Sequence, residues 1–225
     1  MTVLSYIIGI IVFLYSIFVL SRDDYLLIRK NVSQETMFSL SLFCILTSLF
    51  IARVVFALER HHVAYLNPLV FFALQYFPGL SLTGGMLGFL GGFFIFAKRQ
   101  KLPFARIVDI LSLAALYSFS SGLLVHFLGE LIITHHPQWD ILVKSIAMCG
   151  TWGLLLWFWN KKNLHAGSVG ILAIATTSAI FAISAIVLMV LTHGKLSIDA
   201  MSLIVLFVIS FVCFLLRKRL FFTHD

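Results

Sequence analysis

Arg53 is a basic residue inside a long apolar stretch of the 225-residue sequence. A charged side chain within a lipid bilayer is costly, so such a residue normally faces a partner or a wet cavity and marks a functional site. The alternative is that its side chain extends toward water near Glu59, which lies about a turn and a half farther along a helix. The cost of an intramembrane charge favours the functional interpretation.

A histidine and a carboxylate share one helix face at the end of another apolar stretch. His126 and Glu130 are four residues apart, a spacing that places both side chains on the same side of a helix. A histidine beside a carboxylate suits general base catalysis. The same spacing is equally compatible with a structural pair at the membrane surface.

Glycines dominate the stretch SLTGGMLGFLGG, where Gly84, Gly88 and Gly92 recur at intervals of four. This stripe predicts close packing against a neighbouring helix. Helix packing leaves Gly85 and the preceding polar residues unexplained. Because paired glycines let a ligand approach the backbone and helix N-termini attract phosphate, we predict a lipid headgroup site here. Its residues are Ser81, Thr83, Gly84 and Gly85.

Motifs for metal or cofactor binding are absent from the sequence. His61–His62 and His135–His136 are adjacent pairs without a Cys or carboxylate at zinc-ligand spacing. The sequence contains no P-loop, GxSxG or HExxH motif. We therefore predict neither a metal site nor a cofactor.

The composition indicates which elements position these residues. Hydrophobic residues make up 61% of the chain and charged residues 11%. Soluble domains are about half apolar and a quarter charged, so this composition argues against a soluble globular protein. Seven apolar runs are each long enough to cross roughly 30 Å of hydrocarbon. They lie at about 3–20, 37–58, 79–97, 105–129, 141–159, 168–192 and 199–216.

A shorter run over 67–78 lies between Pro68 and Pro78 and predicts a half-helix before the third span. We thus predict an all-α polytopic integral membrane protein with about seven transmembrane helices. Residues 1–225 form a single transmembrane domain in this interpretation.

The basic residues predict the orientation of the chain in the membrane. Twelve of the 16 Lys and Arg residues follow the first, third, fifth and seventh runs. The positive-inside rule then puts the N-terminus outside and the C-terminus in the cytoplasm. The net charge of +7 comes from short clusters of at most three residues, so nucleic acid is not a predicted partner.

In the order of its features, the chain resembles the prolipoprotein diacylglyceryl transferase family. Residues 30–58 look like the family's second span, with Arg53 at its conserved glycine-(glycine or alanine)-arginine position. Residues 79–88, GLSLTGGMLG, are similar to the family motif Gly-x-Ser-x-His-Gly-Gly-x-x-Gly. Residues 98–110 resemble the turn into the fourth span and place Asp109 on the family's aspartate.

The stretch SGLLVHFLGE stands where the family has Gly-Arg-x-Gly-Asn-Phe-x-Asn-Gly-Glu. Matches to that motif occur at Gly122, Phe127, Gly129 and Glu130. Departures affect the chemistry, because Thr83 replaces the family's histidine, Leu123 its arginine and His126 its first asparagine. Residues 168–192 also contain no charge, whereas the family has an Arg and a Glu in that span.

The resemblance implies a seven-span bacterial inner-membrane enzyme that moves a diacylglyceryl group from phosphatidylglycerol to a cysteine of a preprolipoprotein signal segment. In that role Arg53, His126 and Glu130 would be catalytic, and Asp109 would join the lipid-binding residues. The replaced residues predict impaired catalysis, or catalysis rewired through His126.

Two other classes of function remain open. The first alternative is a catalytically silent membrane subunit that binds phospholipid or a signal segment. A small-solute transporter is favoured less, because few polar residues lie within the spans.

Overall fold

The computed structural model describes residues 2–22, 24–60, 80–133, 138–160, 167–192, 201 and 204–212. Of these residues 92% are helical and none forms a strand. The helices are α1 Thr2–Arg22, α2 Tyr25–Arg29, α3 Gln34–Arg60, α4 Leu82–Arg99, α5 Phe104–Ile133, α6 Trp139–Asn160 and α7 Ser168–Thr192. Residues 204–212 are also helical. The predicted all-α class is confirmed.

Within the described part of the chain, five helices are long and apolar enough to cross a membrane, namely α1, α3, α5, α6 and α7. Helix α4, with 18 residues, occupies the third predicted span, and residues 204–212 fall within the seventh. The predicted half-helix at 67–78 lies outside the described residues. The polytopic membrane class is therefore confirmed, and the count of seven stays a prediction.

Local sequence signals determine where α4 ends and α5 begins. The N–H of Gln100 donates to the Phe96 carbonyl at 3.0 Å, and Lys101 adopts a left-handed φ of 50° that turns the chain out of the helix. Pro103 follows, where its missing N–H is not needed, and its carbonyl accepts the first helical bond of α5 from Ile107 at 3.2 Å.

The described chain folds into two compact units. One covers Val32–Leu102 and contains α3 and α4; we call it the α3–α4 unit. The other covers Met1–Asn31 and Pro103–Asp225, contains α1, α2, α5, α6 and α7, and is called the α5 unit. The single domain expected over residues 1–225 stays a prediction.

Glycines allow α3 and α4 to pack with their backbones close together. A Cβ atom added at Gly84 would lie 2.8 Å from the Val55 Cβ, and one added at Gly88 would lie 2.5 Å from the Thr47 carbonyl oxygen. A Cβ at Gly92 would collide with the Thr47 hydroxyl. The packing role predicted for this glycine stripe is confirmed.

Helix α5 is the centre of its unit, where it packs against α1, α6 and α7. Its hydrophobic contacts with α6 and α7 form a buried cluster of Leu113, Leu116, Met148, Leu155, Val169 and Ala173. Short polar side chains join the helices directly. The Ser118 hydroxyl donates to the Gly9 carbonyl of α1 at 2.6 Å, while Ser120 and Ser145 each donate to the other's carbonyl at 2.9 and 2.8 Å.

Candidate functional site

Arg53 lies where α3 crosses the beginning of α4. Its side chain is only 2% exposed, and its guanidinium carbon lies 5.7 Å from the centre of the Phe56 ring, within cation–π range. The peptide group that precedes Arg53 is engaged as well, because the Ala52 carbonyl accepts the Ser81 N–H at 3.1 Å. Arg53 is thus enclosed by protein. The alternative interpretation, in which its side chain extends toward water, does not fit this burial.

The predicted lipid-binding residues Ser81, Thr83, Gly84 and Gly85 form the first turn of α4 and its cap. Ser81 is buried and is the N-cap, since its hydroxyl oxygen accepts the Gly84 N–H at 3.3 Å. The Ser81 carbonyl accepts the Gly85 N–H at 2.9 Å. Thr83 is half-buried.

Gly84 and Gly85 have different surroundings although they are adjacent. Gly84 has no room for a Cβ against α3, whereas a Cβ at Gly85 would sit 3.5 Å from the Ser48 hydroxyl, an ordinary contact. That hydroxyl donates to the Gly85 carbonyl at 2.8 Å. Packing between α3 and α4 therefore explains Gly84 but does not require a glycine at position 85.

His126 and Glu130 form the predicted pair on α5. The Nε2 of His126 lies 3.5 Å from a carboxylate oxygen of Glu130. The second carboxylate oxygen accepts the N–H of Gln138, just before α6, at 3.3 Å. The rings of Phe127 and Trp139 meet at 5.5 Å between centroids and pack α5 against the start of α6. Glu130 is therefore held from two sides.

The pair brings together the two groups that a general base with a supporting carboxylate needs, at 3.5 Å, which is longer than an ordinary hydrogen bond. A carboxylate beside Nε2 favours the tautomer that carries its proton on Nε2 and leaves the lone pair on Nδ1. The Nδ1 of His126 is buried and has no hydrogen-bond partner among the described residues. Buried ring nitrogens are normally hydrogen-bonded, so in this tautomer Nδ1 is an unused acceptor.

Asp109 has a different environment from the other predicted site residues. It is 1% exposed, and its two carboxylate oxygens accept the N–H groups of Gly167 at 2.5 Å and Gly170 at 2.6 Å. It thereby caps α7 from the side of α5. Asp109 also precedes His126 by 17 residues on the same helix, a separation of about 26 Å.

Taken together, the structure brings the predicted residues into two groups. In the α3–α4 unit, Ala52, the residue before Arg53, contacts both Ser81 and Gly84. His126 lies beside Glu130 in the α5 unit. Asp109 belongs to the second unit but caps α7 instead of joining the pair.

Sequence reasoning did not find a polar cluster formed by Asp24, Arg106 and Trp159. Asp24 caps α2 by accepting the N–H groups of Leu26 and Leu27, and its other oxygen accepts the Arg106 Nε at 2.7 Å. The Arg106 guanidinium lies 3.4 Å above the Trp159 ring. An aspartate at the start of a short apolar helix is an N-cap signal, whereas its partners on α5 and α6 follow only from tertiary structure.

Among the described residues no group of three or more His, Cys, Asp or Glu side chains could hold a metal ion. Both histidine pairs, at 61–62 and 135–136, lie outside the described residues.

Known proteins give a distant likeness. No family model matches the chain. A phosphatidylglycerol–prolipoprotein diacylglyceryl transferase from Methylobacillus flagellatus is 27% identical over 140 residues, which cover 53% of this chain and 52% of the relative. A protein of the same name from Polynucleobacter necessarius subspecies necessarius is 27% identical over 123 residues, covering 46% and 45%. The chain spans about half the length of these curated relatives.

Proposed function

We propose that this protein is a divergent, catalytically impaired relative of the phosphatidylglycerol–prolipoprotein diacylglyceryl transferases, located in the bacterial inner membrane with its N-terminus outside. Its substrate in this proposal is a phosphatidylglycerol-like phospholipid, and its acceptor is a preprolipoprotein signal segment. The observation that carries the proposal is the His126–Glu130 pair, at 3.5 Å, in the segment that resembles the family's fourth-span motif. The two relatives support it, because both are named phosphatidylglycerol–prolipoprotein diacylglyceryl transferase.

The reaction requires a proton acceptor for the cysteine thiol. The thiol sulfur forms a bond to the terminal glycerol carbon of the diacylglyceryl group as the bond from that carbon to the phosphate oxygen breaks. Glycerol phosphate leaves with the electron pair of the broken bond. We assign the thiol proton to Nδ1 of His126, with Glu130 stabilising the imidazolium that forms through Nε2.

The reaction also requires stabilisation of the phosphate that leaves. We assign this role to Arg53, because a cation with a 2% exposed side chain acts in a low-dielectric environment where charge interactions are strong. The first turn of α4, at Gly84 and Gly85, adds the positive end of a helix dipole. Ser81 and Thr83 are the polar side chains of this turn, and Asp109 is assigned to holding α7.

Two replacements predict slow transfer. Thr83 occupies the position of a histidine in the family that this chain resembles. A threonine hydroxyl does not act as a base near neutral pH. Leu123 stands where the family has an arginine. Losing one fixed donor to a developing negative charge costs on the order of 10²–10³ in rate.

Complementation of a bacterium depleted of its own transferase tests this proposal. We expect the native chain, at matched membrane expression, to restore growth poorly or not at all beside a motif-complete transferase. Robust growth that His126→Ala abolishes would refute impairment and establish catalysis through His126. Growth that survives both His126→Ala and Arg53→Gln would refute the residue assignments.

The second candidate is a silent phospholipid-binding or signal-segment-binding membrane subunit, favoured by the replacements at Thr83 and Leu123. A direct assay of diacylglyceryl transfer to a lipobox peptide, with purified protein, distinguishes the impaired enzyme from the silent subunit. Slow transfer that His126→Ala removes supports the impaired enzyme. Complete lack of transfer by the native chain, with a photoactivatable phospholipid still labelling residues 81–85, supports the silent subunit.

A further inference from the structure

The last two turns of α4 border a groove on the surface of the α3–α4 unit. The groove is open to its surroundings, has a volume of about 440 Å³ and is lined by Phe94, Ile95, Lys98 and Arg99. Phe94 and Ile95 are 56% and 48% exposed, and both cations are exposed as well. Residues four apart share a helix face, so Phe94 and Lys98 lie on one side of the helix, one turn apart, as do Ile95 and Arg99. The apolar surface of Phe94 and Ile95 is therefore followed, one turn along the helix, by two adjacent positive charges.

These two cations have no acidic partner in the described part of the chain. The ion pairs found there join Arg106 to Asp24, His126 to Glu130 and Lys144 to Asp140. Lys101, also exposed, adds a third positive charge just beyond the helix. The groove thus presents unneutralised positive charge at the end of an apolar surface.

We propose that this groove binds one anionic phospholipid, with its phosphate between Lys98 and Arg99 and an acyl chain along Phe94 and Ile95. The order of groups along the helix, apolar and then cationic, matches the order of acyl chain and phosphate in such a lipid. A second copy of this chain is disfavoured as the occupant of the groove, because its net charge of +7 would be repelled by the two unpaired cations.

This site is independent of the proposed transfer reaction. It lies at the C-terminal end of α4, whereas Ser81 caps the N-terminal end. Eighteen residues of helix separate the two ends by about 27 Å. Either proposal can therefore fail without the other.

Photolabelling mapped to this segment tests the groove directly. The full chain is reconstituted in phosphatidylcholine nanodiscs that contain a phosphatidylglycerol with a diazirine in one acyl chain. After illumination and digestion, mass spectrometry gives the labelled fraction of the peptide that contains Phe94 and Ile95. The matched probe carries the same acyl chains on a phosphatidylcholine headgroup.

We expect the phosphatidylglycerol probe to label this peptide several-fold more than the phosphatidylcholine probe. K98Q/R99Q should reduce the labelling several-fold, to the level of the phosphatidylcholine probe, because each basic side chain near anionic lipid changes affinity about fivefold and the variant removes both. The charge-preserving variant K98R/R99K should retain the labelling. The control R29Q/K30Q removes two other exposed cations and should leave the labelling at this peptide unchanged.

Three results would overturn the site. Equal labelling by both probes would show that the groove has no preference for anionic lipid. An equal loss in K98Q/R99Q and R29Q/K30Q would assign the effect to overall charge. Protein–protein cross-links at Lys98, formed by an amine-reactive bifunctional reagent in the same nanodiscs, would identify a second copy as its occupant.

Discussion

At the scale of single residues, Asp109 illustrates how a polar group inside a membrane protein is stabilised. Its carboxylate meets the Gly167 and Gly170 N–H groups, which have no carbonyl partner within the first turn of α7. Gly167 has a left-handed φ of 90°, and a Cβ at Gly170 would lie 2.6 Å from a methyl carbon of Val108. Small residues at both positions let α7 approach Asp109 closely.

Asp109→Asn should destabilise the fold, because an amide offers one acceptor oxygen where two N–H groups now meet a charged carboxylate. We expect a loss of about 1–3 kcal/mol in unfolding free energy, measured as a lower melting temperature in detergent. Asp140→Asn is the matched control, since Asp140 forms an exposed pair with Lys144 at 2.9 Å. Equal effects of the two substitutions would contradict the capping role.

At the scale of elements, the contact between α3 and α4 depends on which face of α4 each glycine occupies. Gly84, Gly88 and Gly92 face α3. Gly91 lies beside this stripe in sequence, but a Cβ there would meet nothing within 4 Å. The same substitution should therefore have opposite consequences at neighbouring positions.

Gly88→Ala should separate α3 from α4, because the new methyl group would meet the Thr47 backbone carbonyl. Overpacking of this kind costs about 1–3 kcal/mol, whereas Gly91→Ala should be neutral or stabilising since alanine favours a helix over glycine. Thermal melting of both variants in one detergent checks this. A melting temperature unchanged by Gly88→Ala would refute the close approach.

Gly85→Ala separates packing from ligand contact in the first turn of α4. The methyl group would lie 3.5 Å from the Ser48 hydroxyl, so we expect the melting temperature to change little. If lipid approaches the backbone here, labelling of residues 81–85 by a photoactivatable phosphatidylglycerol should fall several-fold. Unchanged labelling in a stable variant would contradict direct lipid contact at Gly85.

A second element-scale contact joins α2, α5 and α6 through Arg106. Arg106→Lys keeps the charge but loses the planar guanidinium that lies over Trp159 and bonds Asp24. We expect faster amide hydrogen exchange in residues 25–30, because the N-cap of α2 is no longer held against α5. Lys144→Gln, which removes an exposed pair, should leave that exchange unchanged; the same acceleration in both variants would count against the cluster.

At the scale of the whole molecule, the distribution of loop charge predicts orientation in the membrane. A reporter that is active only in the cytoplasm should work when fused after Arg219 and fail when inserted at 134–140. Activity at 134–140 together with silence after Arg219 would reverse the topology.

The sequence by itself determined the helical membrane class, the positions of the long described helices (all except α2) and the contact face of the glycine stripe. These properties are encoded locally, because each helix satisfies its own backbone hydrogen bonds and needs a continuous apolar run to face lipid. The spacing of His126 and Glu130 also predicted their pairing, since four residues bring two side chains to one face.

Tertiary structure alone decided which distant groups meet. Arg53 could have extended toward water, and only the packing around it leaves it enclosed. Asp109 could have stabilised the N-terminal turn of its own helix, yet it caps α7 by accepting the N–H of Gly167, 58 residues away along the chain. In the sequence, Arg106 is only one of the basic residues that follow the third apolar run, although it bonds Asp24 and lies over Trp159. Such contacts join side chains from different helices, and a periodic apolar pattern specifies a helix face without specifying which helix will cover it.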